Sequence, residues 1–328
     1  MSDLLLSVSL DAGYGDQCVL GSVQFELQRG ERLGLVGTSG AGKSTLVLAL
    51  MGLLPWRRGW TKGEVLLAGQ NILAMKERDA RRLRGKCIAL VPQSPMSALN
   101  GALSLRAHFE EAWKAHESGT SNQLRPRLKE LMHQVHLPPE DSFLARKPGE
   151  VSVGQAQRAV IALALLHRPT LLIADEPTSA LDPSTQVEVL HLLRQANHDD
   201  GTTLLYISHD LLSVLQLCQR LAVLDKGRIA ECLPVSGLSQ QARHPATLSL
   251  LRTLPVPPEV LLEYSRLATA APIHPSRLPG DPAGTRTQDR VFAEALRETP
   301  ASAHAGRGLR PYRSPRDAVD LERASRRR

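Results

Sequence analysis

Short apolar runs separated by longer stretches of helical period make up most of this chain. Runs at 32–36, 87–91, 171–174, 203–207 and 221–224 are continuous rather than alternating, the pattern of strands covered on both faces. Helical periods are clearest at 43–51, stopped by Gly52 and Pro55, and at 155–167, stopped by Pro169. Strands that alternate with helices predict an α/β fold built on a parallel sheet. Between Leu103 and Lys147 the helical pattern interrupts the strand series, which predicts an inserted helical subdomain at about residues 95–160. The packed domain is expected to occupy residues 1–262. From Pro255 onward the composition turns to Pro, Ala and Arg. A tail at 263–328 is expected to be disordered, because its stretch from Pro275 to Arg328 has too few large apolar residues to offset the entropy of ordering.

Charge changes the picture of the partners. The 328 residues hold 40 Lys and Arg against 33 Asp and Glu, a formal charge of +7. Twelve arginines and seven carboxylates lie between Ala271 and Arg328, so the tail carries +5 and the first 270 residues only +2. A nearly neutral main body gives no ground for expecting nucleic acid as its partner. No apolar run approaches the roughly 18 to 20 residues that span a bilayer. The longest, from Ala159 to Leu166, is bounded by Arg158 and His167, so a membrane role requires a partner subunit. The start Met1-Ser2-Asp3-Leu4-Leu5-Leu6 lacks the positive start and cleavage site of a signal peptide, and a cytoplasmic location is expected. Cys18, Cys87, Cys218 and Cys232 show no Cys-x-x-Cys spacing, so buried free thiols are expected rather than a disulfide, zinc or iron-sulfur framework.

Candidate chemistry begins at Gly37-Thr38-Ser39-Gly40-Ala41-Gly42-Lys43-Ser44-Thr45, which fits G-x-x-x-x-G-K-[ST] between an expected strand and an expected helix. Glycines let the backbone wrap phosphates, successive N–H groups and the helix N-terminus face the anion, Lys43 neutralises β/γ oxygens, and the Ser44 hydroxyl suits magnesium. Such a site also needs a second metal anchor and a base for water. The apolar run 171–174 ends in Asp175-Glu176, which supplies both: Asp175 for the metal, Glu176 for the water.

Taken with these two motifs, the chain resembles the ATPase subunits of ABC transporters over about residues 4–262. The ordered marks are Gln93 in the glutamine loop, Val151-Ser152-Val153-Gly154-Gln155 at the signature, Asp175-Glu176, Ser179-Ala180-Leu181-Asp182 as the D-loop, and His209 in Ser208-His209-Asp210. The resemblance implies a P-loop NTPase core with an inserted helical subdomain, the ABC ATPase fold, with ATP and Mg2+ as cofactors. It implies that Tyr14 stacks on adenine, that Gln93 reaches magnesium and the attacking water, and that His209 contacts the γ-phosphate. It also implies a head-to-tail dimer with a second ABC ATPase subunit, closed by Ser152, Gly154 and Gln155 of the signature, with Asp182 at the interface. Two transmembrane permease subunits and, indirectly, an extracytoplasmic solute-binding protein complete the implied partners, at the cytoplasmic face of the plasma membrane. The signature departs from Leu-Ser-Gly-Gly-Gln at Val151 and Val153. A β-branched residue in place of glycine narrows backbone freedom near the phosphate, which points to a site that is weak or merely structural; the resemblance implies that the partner is a different subunit.

Two further segments narrow the branch. The run from Arg84 to Asn100 around Gln93, and His244-Pro245-Ala246-Thr247-Leu248-Ser249-Leu250-Leu251 ahead of Pro255, resemble the importers of oligopeptides, dipeptides and nickel, with Ala246 where that branch has Tyr. Import of peptides, nickel or metal chelates is therefore expected. The phosphonate carbon-phosphorus lyase complex, which uses similar ATPases, is the alternative, followed by a nucleic-acid repair or translation ATPase. Glu130, His133 and His136 could be drawn as a nickel site, but a polar face of the helical subdomain is the better expectation. Pro55-Trp56-Arg57-Arg58-Gly59-Trp60 mixes aromatic and basic residues, which could suggest lipid or nucleic-acid contact, but a loop between the first helix and the next hairpin is the better expectation.

Overall fold

The computed structural model describes residues 3–117 and 121–254; the expected tail at 263–328 and the domain end at 262 lie outside them. Its strands are β1 (Leu4–Tyr14), β2 (Gln17–Gln28), β3 (Arg32–Val36), β4 (Gly59–Leu67), β5 (Gln70–Asn71), β6 (Ile88–Val91), β7 (Leu171–Asp175), β8 (Thr203–Ser208), β9 (Arg220–Asp225) and β10 (Arg228–Pro234). The helices are α1 (Lys43–Leu50), α2 (Glu77–Leu83), α3 (Pro95–Ala98), α4 (Leu105–Lys114), α5 (Ser121–Gln134), α6 (Asp141–Leu144), α7 (Val153–Ala164), α8 (Pro183–Asp200), α9 (Leu211–Leu217), α10 (Leu238–Gln241) and α11 (Pro245–Leu251).

The expected parallel sheet is present, in the order β10-β9-β3-β8-β7-β6, with only the β9–β10 pair antiparallel. Its apolar strands divide their side chains between two layers. Leu33, Leu35, Leu171, Ile173, Leu205 and Ile207 face a core that holds α1. Leu172, Ala174, Leu204 and Tyr206 face the opposite core, which holds α7, α8 and α9. A strand buried on both faces has no polar alternation, which is why these strands read as continuous runs.

A second sheet was not expected. Strands β2, β1, β4 and β5 form an antiparallel sheet over the α1 side of the parallel one, with Val8, Leu10, Val23 and Phe25 in the same core as α1. Its sequence signal is period 2: Val23, Phe25 and Leu27 are buried while Gln24, Glu26 and Gln28 are exposed. The expected helical subdomain runs from α3 to α7 and shares the second core through Phe109, Leu128 and Leu131. Phe109 is fully buried, which contributes about 1.5–3 kcal/mol.

All four cysteines are free, yet only Cys218 is buried; Cys18 is exposed on the β1–β2 hairpin, and Cys87 and Cys232 are half-buried. Burial of Cys18 fails because β2 begins with two exposed positions, Gln17 and Cys18. The segment from Pro55 to Trp60 is a short 3-10 turn, Leu54–Arg57, followed by the start of β4. No helix among the described residues is long and apolar enough to cross a membrane.

Candidate functional site

Four connections leave the same end of the parallel sheet and bring the site together. β3 runs into the loop 37–42 and α1, β6 into Gln93, β7 into Glu176, and β8 into His209. In register, Leu35 lies beside Ile207 and Ile207 beside Asp175, so the connections start from nearly one level.

The loop before α1 is shaped by glycine. Gly42, the residue that starts α1, sits at φ 107, and a Cβ there would lie 2.6 Å from Leu20. No acidic side chain occupies the first turn of α1, which leaves its N–H groups and partial positive charge for an anion. A cavity of about 540 Å³ opens here, lined by Val19, Thr38, Ser39, Gly40, Gly42, Lys43, Ser44, Thr45, Gln93, Glu176 and His209. Gly37 and Ala41 complete the loop without lining the cavity. Val19, contributed by the antiparallel sheet, was not foreseen from the sequence; its signal was its place on a hairpin between Tyr14 and the phosphate loop.

Glu176 is the hub. Its backbone is left-handed at φ 46, a conformation costly for a side chain with a Cβ. The turn is held from both ends: the Glu176 N–H donates to the Ile207 carbonyl at 2.8 Å, and Ser179 donates to the Glu176 carbonyl through its N–H at 3.2 Å and its hydroxyl at 3.1 Å. The turn aims the carboxylate into the cavity. There Gln93 donates through Nε2 to Oε2 at 3.0 Å, His209 Nδ1 lies 3.1 Å from the same oxygen, and Lys43 Nζ lies 3.4 Å from Oε1. Lys43, only 9% exposed, also donates to the Gly37 carbonyl at 2.8 Å. Three residues from three connections thus converge on one carboxylate.

Behind this ring lies a buried hydroxyl pair. Tyr206, fully buried on β8, is 3.2 Å through its phenol oxygen from the Thr178 hydroxyl, and burial pushes the phenol up. It ties the segment after Glu176 to the strand that delivers His209.

Asp175 ends β7 beside this ring. Burial pushes its carboxyl up to about 6, the neighbouring Glu176 adds to the rise, and Lys43 opposes it. A half-buried carboxylate in excess of its local cations, next to a cavity that also presents the Ser44 hydroxyl and Gln93, is a donor set that fits a hard divalent cation.

The signature residues stand apart from this cavity. Ser152 caps α7, accepting from the Gln155 N–H at 3.1 Å, while Gln155 Oε1 accepts from the Ser152 N–H at 3.0 Å. This reciprocal cap fixes the helix start. Gly154 is required for packing: a Cβ there would approach Thr185 Cγ2 to 2.9 Å. Val153 is the first helical residue, 44% exposed, with ordinary negative φ. The expected restriction of backbone freedom therefore does not arise, because this position needs no left-handed conformation; what valine adds is an exposed isopropyl group. Asp182 caps α8, taking N–H and hydroxyl donors from Ser184 and Thr185, which hold its carboxyl well below the usual range. Tyr14 ends β1, half-buried against the α1-side core, and does not line the cavity. Glu130 is engaged by Arg127 at 3.0 Å and Arg168 at 3.1 Å, in keeping with a polar face, and no metal-binding cluster of His, Cys, Asp and Glu occurs among the described residues.

Comparison with known proteins agrees with this architecture. The ABC transporter family profile matches residues 20–179. A probable peptide ABC transporter ATP-binding protein of Sinorhizobium fredii is 38% identical over 77% of this chain and 78% of its own length. The oligopeptide transport ATP-binding protein OppD of Bacillus subtilis is 36% identical over 85% of this chain and 77% of its own, and the dipeptide counterpart DppD of Escherichia coli 34% over 83% and 84%. Among solved structures, a dimeric ATP-binding cassette in a post-hydrolysis state bound to ADP and phosphate has a TM-score of 0.61 at 25% identity, covering 70% of this chain and 98% of that one. The glycine loop, the converging Glu176 ring, the inserted helices and these relatives together place the chain in the ABC transporter family, as one of its ATP-hydrolysing, ATP-binding subunits.

Proposed function

We propose that this subunit energises peptide import through a separate membrane permease, working as one of a pair of ATPase subunits at the cytoplasmic face of the plasma membrane. The observation that carries the chemistry is the convergence of Lys43, Gln93 and His209 on Glu176 across one cavity. The peptide assignment is supported by the names of the relatives, which specify peptide, oligopeptide and dipeptide transport.

Catalysis in this reading is positioning and charge stabilisation. The loop N–H groups and Lys43 hold β/γ oxygens of ATP, so Lys43 moves from the Glu176 carboxylate to the phosphates when ATP enters. Glu176, released from that ion pair, accepts the proton of the attacking water. Gln93 orients that water, and His209 steadies the γ-phosphate. Asp175, Ser44 and Gln93 would hold Mg2+, which when bound neutralises phosphate charge. Tyr14, at the end of β1, stacks on adenine. Ser152, Gly154 and Gln155 complete the site of a second subunit in a head-to-tail dimer, with Asp182 near the shared surface. Closure with ATP and reopening after phosphate release drive the permease.

Glu176→Gln tests the assignment of the base. ATP binding is expected to persist while turnover in the assembled complex falls about 10²- to 10⁴-fold; normal turnover would remove Glu176 from that role. Uptake assays on a deletion strain test the cargo. Loss of di- and oligopeptide uptake with intact uptake of nickel, metal chelates and phosphonates is expected, and the reverse pattern would overturn the peptide reading.

A further inference from the structure

The 3-10 turn after α1 carries a tryptophan that the ATPase reading leaves unused. Trp56 is 67% exposed, the most exposed large apolar side chain among the described residues. Its position is fixed from below. Leu54 is fully buried, and Arg58 closes the turn at φ 58. The Glu77 carboxylate of α2 accepts from Arg84 at 2.7 and 3.1 Å, and Arg84, then Arg81, and least the Trp56 indole hold it below the usual range. Arg84 also donates to the carbonyls of Met51 at 2.8 Å and Gly52 at 3.3 Å. The turn and α2 therefore form one rigid surface.

That surface concentrates positive charge. Residues 55–58 and 76–86 contain eight Lys and Arg against two carboxylates, a net +6, whereas the whole of residues 1–270 carries only +2. Arg57, Arg58, Lys76, Arg78 and Arg81 are exposed and make no ion pair among the described residues; the Arg82–Asp79 pair is a loose surface contact at 3.6 Å. Two readings of such a patch fit less well. A protein interface needs a cluster of apolar residues to bury, and Trp56 has no exposed large apolar neighbour on the turn or on α2. Single-stranded nucleic acid needs several stacking aromatics in a groove, and the nearest other indole, Trp60, is half-buried with its N–H donating to the Gly15 carbonyl at 2.8 Å. A lone indole ringed by cations matches the anionic headgroup layer, where indoles sit at the polar boundary and each Lys or Arg adds attraction.

We propose that the Trp56-centred basic patch rests on anionic lipid headgroups of the membrane that holds the transporter. The contact needs neither ATP nor a particular cargo, so it stands or falls separately from the import reading.

Flotation of the full-length protein with vesicles tests it, using phosphatidylglycerol mixed with phosphatidylcholine against phosphatidylcholine alone. Binding is expected only to the anionic vesicles and is expected to weaken with salt. The quadruple variant Arg57→Gln, Arg58→Gln, Arg78→Gln, Arg81→Gln should lower partition by several hundredfold, at roughly fivefold per cation, with basal ATPase activity unchanged. Trp56→Phe should abolish the blue shift in tryptophan emission that the unaltered protein shows on binding. Replacing Arg326, Arg327 and Arg328 by Gln controls for the basic tail and should change partition far less than the quadruple change. The proposal is overturned if the unaltered protein ignores anionic vesicles or binds neutral ones equally. It is also overturned if the quadruple variant floats like the parent, or if it loses permease or duplex DNA binding while keeping vesicle binding.

Discussion

Removing the charge of Asp175 should make the ligand-free protein more stable while disabling it. The Asp175 carboxyl is raised from 3.8 to about 6 by burial, then by Glu176, against the opposing pull of Lys43. A folded pKa above the unfolded one means that the native state holds the proton more tightly. Below pH of about 4 both states are protonated and the group contributes nothing unfavourable. Between pH of about 4 and about 6 the unfolded chain ionises while the native carboxyl still holds its proton, so the penalty grows with pH and levels off at about 3 kcal/mol above 6. Asp175→Asn has no charge to bury at any pH. In buffer with a chelator and no nucleotide, the variant should exceed the parent by only about 1 kcal/mol near pH 4.5 and by about 2–3 kcal/mol at pH 7.5. At about 2–4 °C per kcal/mol for a domain of this size, the melting temperature should rise by roughly 4–12 °C. With magnesium and ATP the parent should recover the difference through ligand binding, while hydrolysis by the variant collapses. Thermal melts at pH 4.5, 6 and 7.5, with and without Mg-ATP, measure all of this. A variant no more stable than the parent at pH 7.5, or a gap that ignores pH, would refute the reasoning.

Three further outcomes follow from the same geometry. Gly154→Ala places a Cβ 2.9 Å from Thr185 Cγ2 and should cost about 1–3 kcal/mol by urea unfolding. Adding Thr185→Ser, which removes that methyl and keeps the hydroxyl on Asp182, should restore most of the loss; no recovery would mean that the methyl is not the obstacle. Tyr206→Phe deletes the buried hydroxyl that meets Thr178 and should cost about 1–3 kcal/mol because Thr178 loses its partner, read from the melting temperature. Val153→Gly should change stability by only about 0.5–1 kcal/mol, since the residue is exposed at the helix start, and should raise turnover of the assembled complex if its isopropyl group obstructs the neighbouring ATP site.

The phosphate loop and the acid pair were legible in the sequence because each has a local signature, Gln93 and His209 came with the family resemblance, and Val19 was missed. Gly37 to Thr45 declare a loop, and Asp175-Glu176 end an apolar strand. The five parallel strands announced themselves by being buried on both faces. The antiparallel sheet was missed because its strands are buried on one face only, so Val23, Phe25 and Leu27 alternate with polar residues instead of forming a run. The left-handed turn at Glu176 was invisible because no glycine or asparagine marks it. It is imposed by bonds to Ser179, three residues on, and to Ile207, which only the fold brings near. Val153 misled for the opposite reason: the motif has glycine there, yet the backbone of this chain does not need one.

The shared level of β3, β7 and β8 makes the chemistry a matter of strand registration. Leu35, Ile207 and Asp175 lie side by side, and Gly37, His209 and Glu176 stand one or two residues beyond them. A slip of one residue would displace a connection by about 3.3 Å, as far as the whole 3.0–3.4 Å reach between Glu176 and its three partners. Substitutions deep in the sheet, with no atom in the cavity, can therefore abolish hydrolysis by detuning alignment alone, and the apolar strands are as much a part of the catalytic apparatus as the polar loops they carry.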